Sequence, residues 1–393
     1  MKTLLTFLMV LGMSYPSFAQ KDAAYWNKMA DGMSQALVKK FWGASYEGYS
    51  DRYYFNYVSD LSDLTTAHYW PQAHAMDVVV DAYMRTGDRQ YKDLFPLWWE
   101  GAPKFNFASK IDPKKAWWNV YVDDMEWMVL AQIRMFECTD NPMYITRARQ
   151  IYDDWIWPTW GPEDEAPWYG GITWKTDEEK SKNACSNGPA ALIAARLYRF
   201  YDKAGFKGGL KREAYLNQAV KIYMWEKKVL FDRKTGAVYD NINQKGEIKR
   251  NWIFTYNIGT FLGAAHELYL ITGDKQYLDD AILAANYAIG HLTQNGVLSD
   301  APSGDGGLFH GIFFRYFVKL ANEESLVTDV RRKFHDYLTG LATVMAEEGV
   351  NPRTMLYAGR WRKAPADDET VGLTPHLTGC MLMEAMCVLK PLD

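Results

Sequence analysis

Cysteine is scarce: four in 393 residues, too few for a disulfide framework to carry so long a fold. Cys380 and Cys387 stand seven apart in a helical pattern, so their Cα atoms lie roughly 10 Å apart at about 1.5 Å rise per residue, beyond the reach of a bridge. The sequence leaves open whether Cys138 meets Cys185. Cationic excess is missing too. Lys and Arg number 44 against 48 Asp and Glu, the net charge is −4, and the cations are dispersed; nothing points to a nucleic acid or an anionic membrane as partner. Past the N-terminus no apolar run is long and uncharged enough to span a bilayer. No segment holds a sustained two-residue alternation, which excludes a large sheet. Only Gly236 to Ile248 has the composition of a small hairpin.

What is present begins with a leader. Lys2 supplies a positive start, Leu4 to Met13 is apolar, and Ser17-Phe18-Ala19 offers small residues at a cleavage site. Residues 1–19 are therefore expected to be a signal peptide cut after Ala19, with no cysteine nearby for a lipid anchor. The expected location is periplasmic or secreted. Residues 20–393 are expected to form a single domain.

Helix-period patterns dominate that domain, and a polar turn recurs between them. Thr86-Gly87-Asp88 is followed by Tyr91, Thr139-Asp140-Asn141 by Tyr144, and Thr272-Gly273-Asp274 by Tyr277. Weaker versions sit at Asp202-Lys203-Ala204 and Ala321-Asn322-Glu323. Helical patterns run in (Ala190 to Tyr201, Gly259 to Ile271) and out (Tyr215 to Lys227, Tyr277 to Leu292), which predicts αα-hairpins on short turns. A sixth pair, with its last helix near Thr378 to Leu389, would close the set.

The connections between hairpins are long: 41–74, 98–124, 158–188, 231–259, 292–311 and 347–379. Structureless loops of this length in a compact domain are usually functional. Alternation of short and long links in an antiparallel helical ring puts every long loop at one end. Eleven of the 16 Trp fall in those loops. The predicted fold is all-α, an (α/α)6 barrel whose long-loop end is the binding face.

Asp123 and Asp124 close the aromatic run from Ala116 to Val122 and open a helical segment, Met125 to Phe136. A lone Asp-Asp pair in a first turn ordinarily just complements the helix dipole. Beside rings on which a sugar can stack, paired carboxylates also suit cleavage of a glycosidic bond. The loop-to-helix junction lets both turn toward one pocket, and Glu126 reads as a supporting first-turn acid. Other strings fall at comparable junctions. Trp117 and Trp118 precede the aspartates; Gly170-Gly171 leads to Trp174. Asn183 and Asn187 are one turn apart, with helix capping an even alternative for Asn187. Tyr256-Asn257 precedes a helix at Gly259. Asp305, Phe309 and Arg315 share a segment in which Asp305 and Arg315 either bind sugar hydroxyls or pair with each other.

Taken in order, Val122-Asp123-Asp124, Gly170-Gly171 with Trp174, Lys182-Asn183 with Ser186-Asn187, Tyr256-Asn257 with Gly259, and Gly311-Ile312-Phe313 with Arg315 resemble glycoside hydrolase family 76, the bacterial endo-α-1,6-mannanases and their fungal relatives. The resemblance spans nearly the whole mature chain. It implies an (α/α)6 barrel, retaining hydrolysis of α-1,6-linked mannose, Asp123 as nucleophile and Asp124 as acid/base. Ile258 and His310 depart from residues common in the family, and the segment after Asp124 carries only Trp127 as an aromatic. The expected partner is an α-mannan polysaccharide or oligosaccharide, with no metal and no organic cofactor, since carboxyls supply the protonation and the attack. The alternatives are a transglycosidase using the same residues and a non-catalytic glycan-binding protein, for which both aspartates would be superfluous.

Overall fold

The structure, a computed structural model, describes residues 21–45, 52–55, 69–106, 112–177 and 181–392. The expected signal peptide and much of the first long connection lie outside the described residues. Twelve main helices are described: α1 (Ala23–Phe41), α2 (Tyr69–Thr86), α3 (Leu94–Phe105), α4 (Val122–Thr139), α5 (Pro142–Ile151), α6 (Ala184–Phe200), α7 (Gly209–Val229), α8 (Thr255–Thr272), α9 (Lys275–Tyr287), α10 (Gly306–Ala321), α11 (Thr328–Val344) and α12 (Leu373–Val388). None is long and apolar enough to cross a membrane.

The short turns have a shared chemistry that explains their recurrence. Thr86, Thr139 and Thr272 each donate a hydroxyl proton to the carbonyl four residues back, and the same oxygen accepts the N–H two residues on. The next residue (Gly87, Asp140 or Gly273) turns left-handed. Asp88, Asn141 and Asp274 then cap the following helix by accepting an N–H two residues ahead, satisfying donors a helix start leaves orphaned. The tyrosine after each cap, Tyr91, Tyr144 or Tyr277, is buried. A short stretch of sequence thus closes each hairpin locally.

Ring closure is a packing event. The even-numbered helices touch in sequence, α2 on α4, α4 on α6, α6 on α8, α8 on α10, α10 on α12, and α12 back on α2. They form the inner ring because they are apolar or small nearly all round; α6 is buried along most of its length. Small residues set the spacing: a Cβ on Gly259 of α8 would lie 2.7 Å from the Phe313 Cα of α10. The sixth pair joins the two ends of the chain. Helix α1 lies on α12, where Ser34 Oγ donates to Glu384 Oε1 at 2.9 Å and His376 Nε2 to the Met33 carbonyl at 3.1 Å.

Each inner helix follows a long connection, so the N-termini of the inner ring gather at the long-loop end. The loops brace one another there. β1 (Lys182–Asn183) pairs antiparallel with β2 (Asn241–Ile242) across two different loops, and the Val122 N–H donates to the Trp174 carbonyl at 2.8 Å. The expected hairpin at Gly236 to Ile248 is therefore only partly local: Ile242 bridges Ile248, but the main pairing of this segment is with β1. All four cysteines are free, so Cys138 and Cys185 do not pair.

Candidate active site

The second residues of three successive inner helices, Asp123, Cys185 and Tyr256, converge at the long-loop mouth. Tyr121 is the N-cap of α4, so both aspartates are helical, in the first turn, and not at a non-helical junction as the sequence suggested. Successive helical side chains diverge by about 100°. Asp123 accordingly faces α6 and the third long loop, beside Cys185 and Trp174, whereas Asp124 faces Tyr69 of α2 and Asp305 ahead of α10. A bond laid over the start of α4 would have one carboxyl on either flank.

Their environments separate their proton affinities. Burial pushes Asp123 up to about 7; the Cys185 thiol, the N–H groups of Asp123 and Asp124, and Trp174 oppose that rise by favouring the anion. Burial also pushes Asp124 well above the usual carboxylate range, and negative Asp123 and Asp305 push it further. Asp124 has no comparable donors. Four groups stabilise charge on Asp123 and none on Asp124, so the first proton lost from the pair leaves Asp123. The α4 N-terminus favours the same outcome. Asp123 Oδ1 is buried without a hydrogen bond. Glu126 lies behind the pair, fully buried, and is held protonated chiefly by that burial, with Asp123 and Glu226 adding to it.

Aromatic and polar groups complete the mouth. Trp174 packs on Tyr121 with centroids 5.1 Å apart. Tyr256 stacks on Phe309 at 4.0 Å and 10°, and its hydroxyl interacts with Cys185 and Asp240. The Trp70 indole N–H donates to Asp305 at 3.3 Å. Trp174→Ala is expected to weaken oligosaccharide binding by about 1 to 3 kcal/mol, the scale for losing a large apolar face; calorimetric titration with a mannotriose checks it, and unchanged affinity would remove Trp174 from the groove.

Several sequence candidates lie elsewhere or serve the scaffold. Trp117 is buried against Trp98 and Trp99, with the Trp99 centroid at 4.8 Å; it is core, because the run before α4 folds under the outer helix α3. Trp118 is half-buried beneath Lys115, 4.9 Å from its ring. Asn187 neither caps α6 nor faces the mouth: it is fully buried and ties down the Ile172 N–H, the Ile172 carbonyl and the Asn183 carbonyl. Asn183 accepts from the Ser181 hydroxyl at 2.8 Å. Asn257 donates to Asp240 at 3.0 Å, fixing the fourth loop to α8. Gly170 and Gly171 hold φ of 109° and 84°, and a Cβ on Gly171 would fall 2.6 Å from the Trp225 ring, so they shape the loop that carries Trp174.

Arg315 is the clearest correction. It lies roughly 15 Å along α10 from Asp305 at about 1.5 Å per residue, inside the barrel, where it meets Asp81 at 3.0 Å and Asp77 at 3.7 Å. The two neither pair nor share a site. The departures at 258 and 310 are structural as well. Ile258 is core, and His310, kept neutral by burial with a pKa lowered to about 4, bridges Thr255 and the Ser299 carbonyl.

Sequence reasoning missed Tyr69, Cys185 and Asp240. Tyr69 and Cys185 open inner helices, the position Asp123 shares, and that common placement was the available signal. Among the described residues no group of three or more His, Cys, Asp or Glu is placed to hold a metal ion.

The model of glycosyl hydrolase family 76 matches residues 25–392. The GH76A α-1,6-mannanase of Salegentibacter sp. HEL1_6 is 35% identical, with a TM-score of 0.80 over 93% of this chain and 100% of that one. An inactive variant of it, two consecutive aspartates replaced by asparagine, is solved with α-1,6-mannotriose and matches at 34% identity and a TM-score of 0.79, over 93% of this chain and 100% of that one. The family 76 mannosidase Bt3792 of Bacteroides thetaiotaomicron, 20% identical with a TM-score of 0.73 over 93% of this chain and 98% of its own, shares the fold. No curated protein sequence matches. With the family matched across the barrel and its mouth, the chain belongs to glycosyl hydrolase family 76 and is a glycoside hydrolase built as an (α/α)6 barrel.

Proposed function

We propose that this enzyme is a retaining endo-α-1,6-mannanase in which Asp123 is the nucleophile and Asp124 the acid/base. The observation that carries the assignment is the unequal treatment of two consecutive carboxyls at the mouth. The Salegentibacter enzyme is inactive when two consecutive aspartates are changed. This chain has other consecutive aspartates, but Asp153 is engaged by Tyr215 and Lys211, Asp280 by Tyr223 and Lys227, and Asp367 by Asn351 and Arg353. Asp123-Asp124 alone among these pairs opens an inner helix.

In the first step the Asp123 carboxylate attacks the anomeric carbon, the bond to the glycosidic oxygen breaks, and Asp124 gives that oxygen its proton. In the second, the Asp124 carboxylate takes a proton from water, and the water oxygen displaces Asp123 from the β-linked ester. Two inversions return the α configuration. Retaining enzymes keep their carboxyls roughly 5 to 5.5 Å apart, whereas inverting ones leave about 6.5 to 9.5 Å for a water, and consecutive residues suit the shorter gap. Digestion of debranched α-1,6-mannan tests the reading: intermediate oligosaccharides are expected early, with the α-anomer first in NMR of fresh product. Mannose as the sole early product would remove the endo assignment, and an initial β-anomer the retaining one.

Export is part of the proposal. Cleavage after Ala19 would leave Gln20 as the first residue, which N-terminal sequencing of periplasmic or culture-fluid enzyme checks. A retained Met1 there would overturn it.

A further inference from the structure

The third long connection folds around a cleft of about 310 Å³ on the face of its own chain opposite Trp174. Thr173 and Lys175 line that cleft, and Trp174 between them does not. Such alternation is what an extended segment produces, and the segment is extended here, bridging Trp160 at Ile172 and Tyr121 at Lys175. The walls are two half-buried indoles, Trp160 and Trp168, with buried Lys182 of β1, half-buried Thr159 and Thr173, and exposed Glu165. The rings are fixed. Trp168 donates its indole N–H to the Asn243 carbonyl at 3.1 Å, and its own carbonyl accepts the Trp225 indole N–H at 2.8 Å. Trp160 stacks on Trp157 with centroids 5.9 Å apart and planes 21° from parallel. The Gly161 N–H donates to the Gly171 carbonyl at 3.0 Å, closing the loop that carries Trp168. The Lys182 ammonium stands 5.9 Å from the Trp168 ring centroid.

We infer that this cleft is an accessory sugar site, binding one mannosyl unit of the polysaccharide beyond those that lie over the aspartates. The inference rests on the α-mannan reading given above. Size and lining agree with a single pyranose: ligand pockets begin near about 300 Å³ and combine aromatic walls with a few fixed polar groups. A pyranose offers C–H groups on its faces, which an indole face accepts, and hydroxyls around its edge. The Glu165 carboxylate takes a proton from such a hydroxyl in a hydrogen bond, and the threonine hydroxyls serve as donor or acceptor. Rings already locked before the sugar arrives lose little freedom on binding. The mouth uses Trp174 from the shared segment and the cleft uses its neighbours, so the two places lie on opposite faces of one extended chain. One polymer reaches both, and holding it at the cleft raises its effective concentration at the aspartates.

Trp168→Ala is expected to raise KM for mannan about three- to tenfold, the scale of one aromatic contact, with kcat held. An aryl mannoside, too small to reach both places, should be hydrolysed at the parental rate. Two further arms identify which part of the polymer binds: debranched against branched mannan as substrate, and isothermal titration of the Asp123→Asn/Asp124→Asn enzyme with α-1,6-mannotetraose. Two classes of tetraose site, one of them lost in Trp168→Ala, with the KM effect on both polymers, assign the cleft to the backbone. One class of site, with the KM effect confined to branched mannan, assigns it to a side branch. Glu165→Ala alters the exposed edge without touching the braced rings and should raise the same KM. It is the deciding variant if Trp168→Ala also slows the aryl mannoside, the sign that the loop carrying Trp174 has shifted. A single class of tetraose site together with an unchanged KM on both polymers in Glu165→Ala would overturn the cleft as a sugar site. A parent enzyme that leaves mannan intact would instead remove the α-mannan reading itself.

Discussion

Asp123→Asn is expected to lower hydrolysis of α-1,6-mannan by roughly 10⁴- to 10⁶-fold, the scale for removing a nucleophile from a cooperating set. Asparagine nearly preserves shape, so the loss reads out chemistry rather than folding. Mass spectrometry of the intact protein after exposure to a slow, activated fluoro-mannoside should show a glycosyl adduct on the parent and none on the variant. Full activity would remove Asp123 from the mechanism. The same substitution carries a stability signature whose sign follows from the pKa. An unfolded aspartate loses its proton near 3.8, and burial holds Asp123 to about 7 in the fold. Between those values the folded state binds more protons, so this group's contribution to stability falls as pH rises from about 4 to about 7. Asp123→Asn escapes that loss. It should be more stable than the parent at neutral pH, by up to about 4 kcal/mol from a shift of about three units, with the gap closing near pH 4. Denaturant unfolding across that range is the check, and parallel pH profiles would contradict a strained carboxylate here.

Asp124→Asn is expected to act selectively. Proton donation to a leaving oxygen is worth roughly 10²- to 10⁴-fold, so mannan hydrolysis should fall by about that much. An aryl mannoside with an acidic leaving group needs little protonation, and its first step should be largely spared. A burst of released phenol followed by slow turnover is the expected time course, because the missing base also slows attack by water. Added azide, which needs no deprotonation, should restore turnover. Equal losses on both substrates, without azide rescue, would assign Asp124 to substrate positioning instead. The rate on mannan should decline on the acid side as Asp123 takes up its proton with a pKa of about 7; in Asp124→Asn that limb should stay in place, since Asp124 is neutral while Asp123 titrates and burial is what raises Asp123.

Much of the architecture was legible because it is encoded over short distances. A threonine, a left-handed residue and an Asp or Asn cap are consecutive in sequence, and their hydrogen bonds close within a few residues at 86–90, 139–143 and 272–276. The alternation of these turns with long connections then fixes which helix ends face the same way, as strand direction would in a sheet. Asp123, Asp124, Tyr256, Phe309 and Asp305 could be singled out because each sits at or beside the start of an inner helix, where the loops meet. A sixth pair with its last helix near Thr378 to Leu389 was legible, but not that its other member is α1, since α1 and α12 lie at opposite ends of the chain and meet only when the ring closes.

The hairpins, the one-sided loops and the adjacent carboxyls are all properties of residues that are neighbours along the chain. Tertiary structure alone decided which way side chains of the same type point. It turned Trp117 into the core and Trp174 toward Asp123, sent Arg315 to Asp77 and Asp81 rather than to Asp305, and made Asn187 a strut between loop and helix. It also brought Tyr69, Cys185 and Asp240 to the mouth and set the two aspartates apart in proton affinity. The physical reason is that burial and hydrogen-bond partners belong to the surface formed between helices. Residues far apart in sequence build that surface, and no local pattern records which of them will face each other once the inner ring is closed.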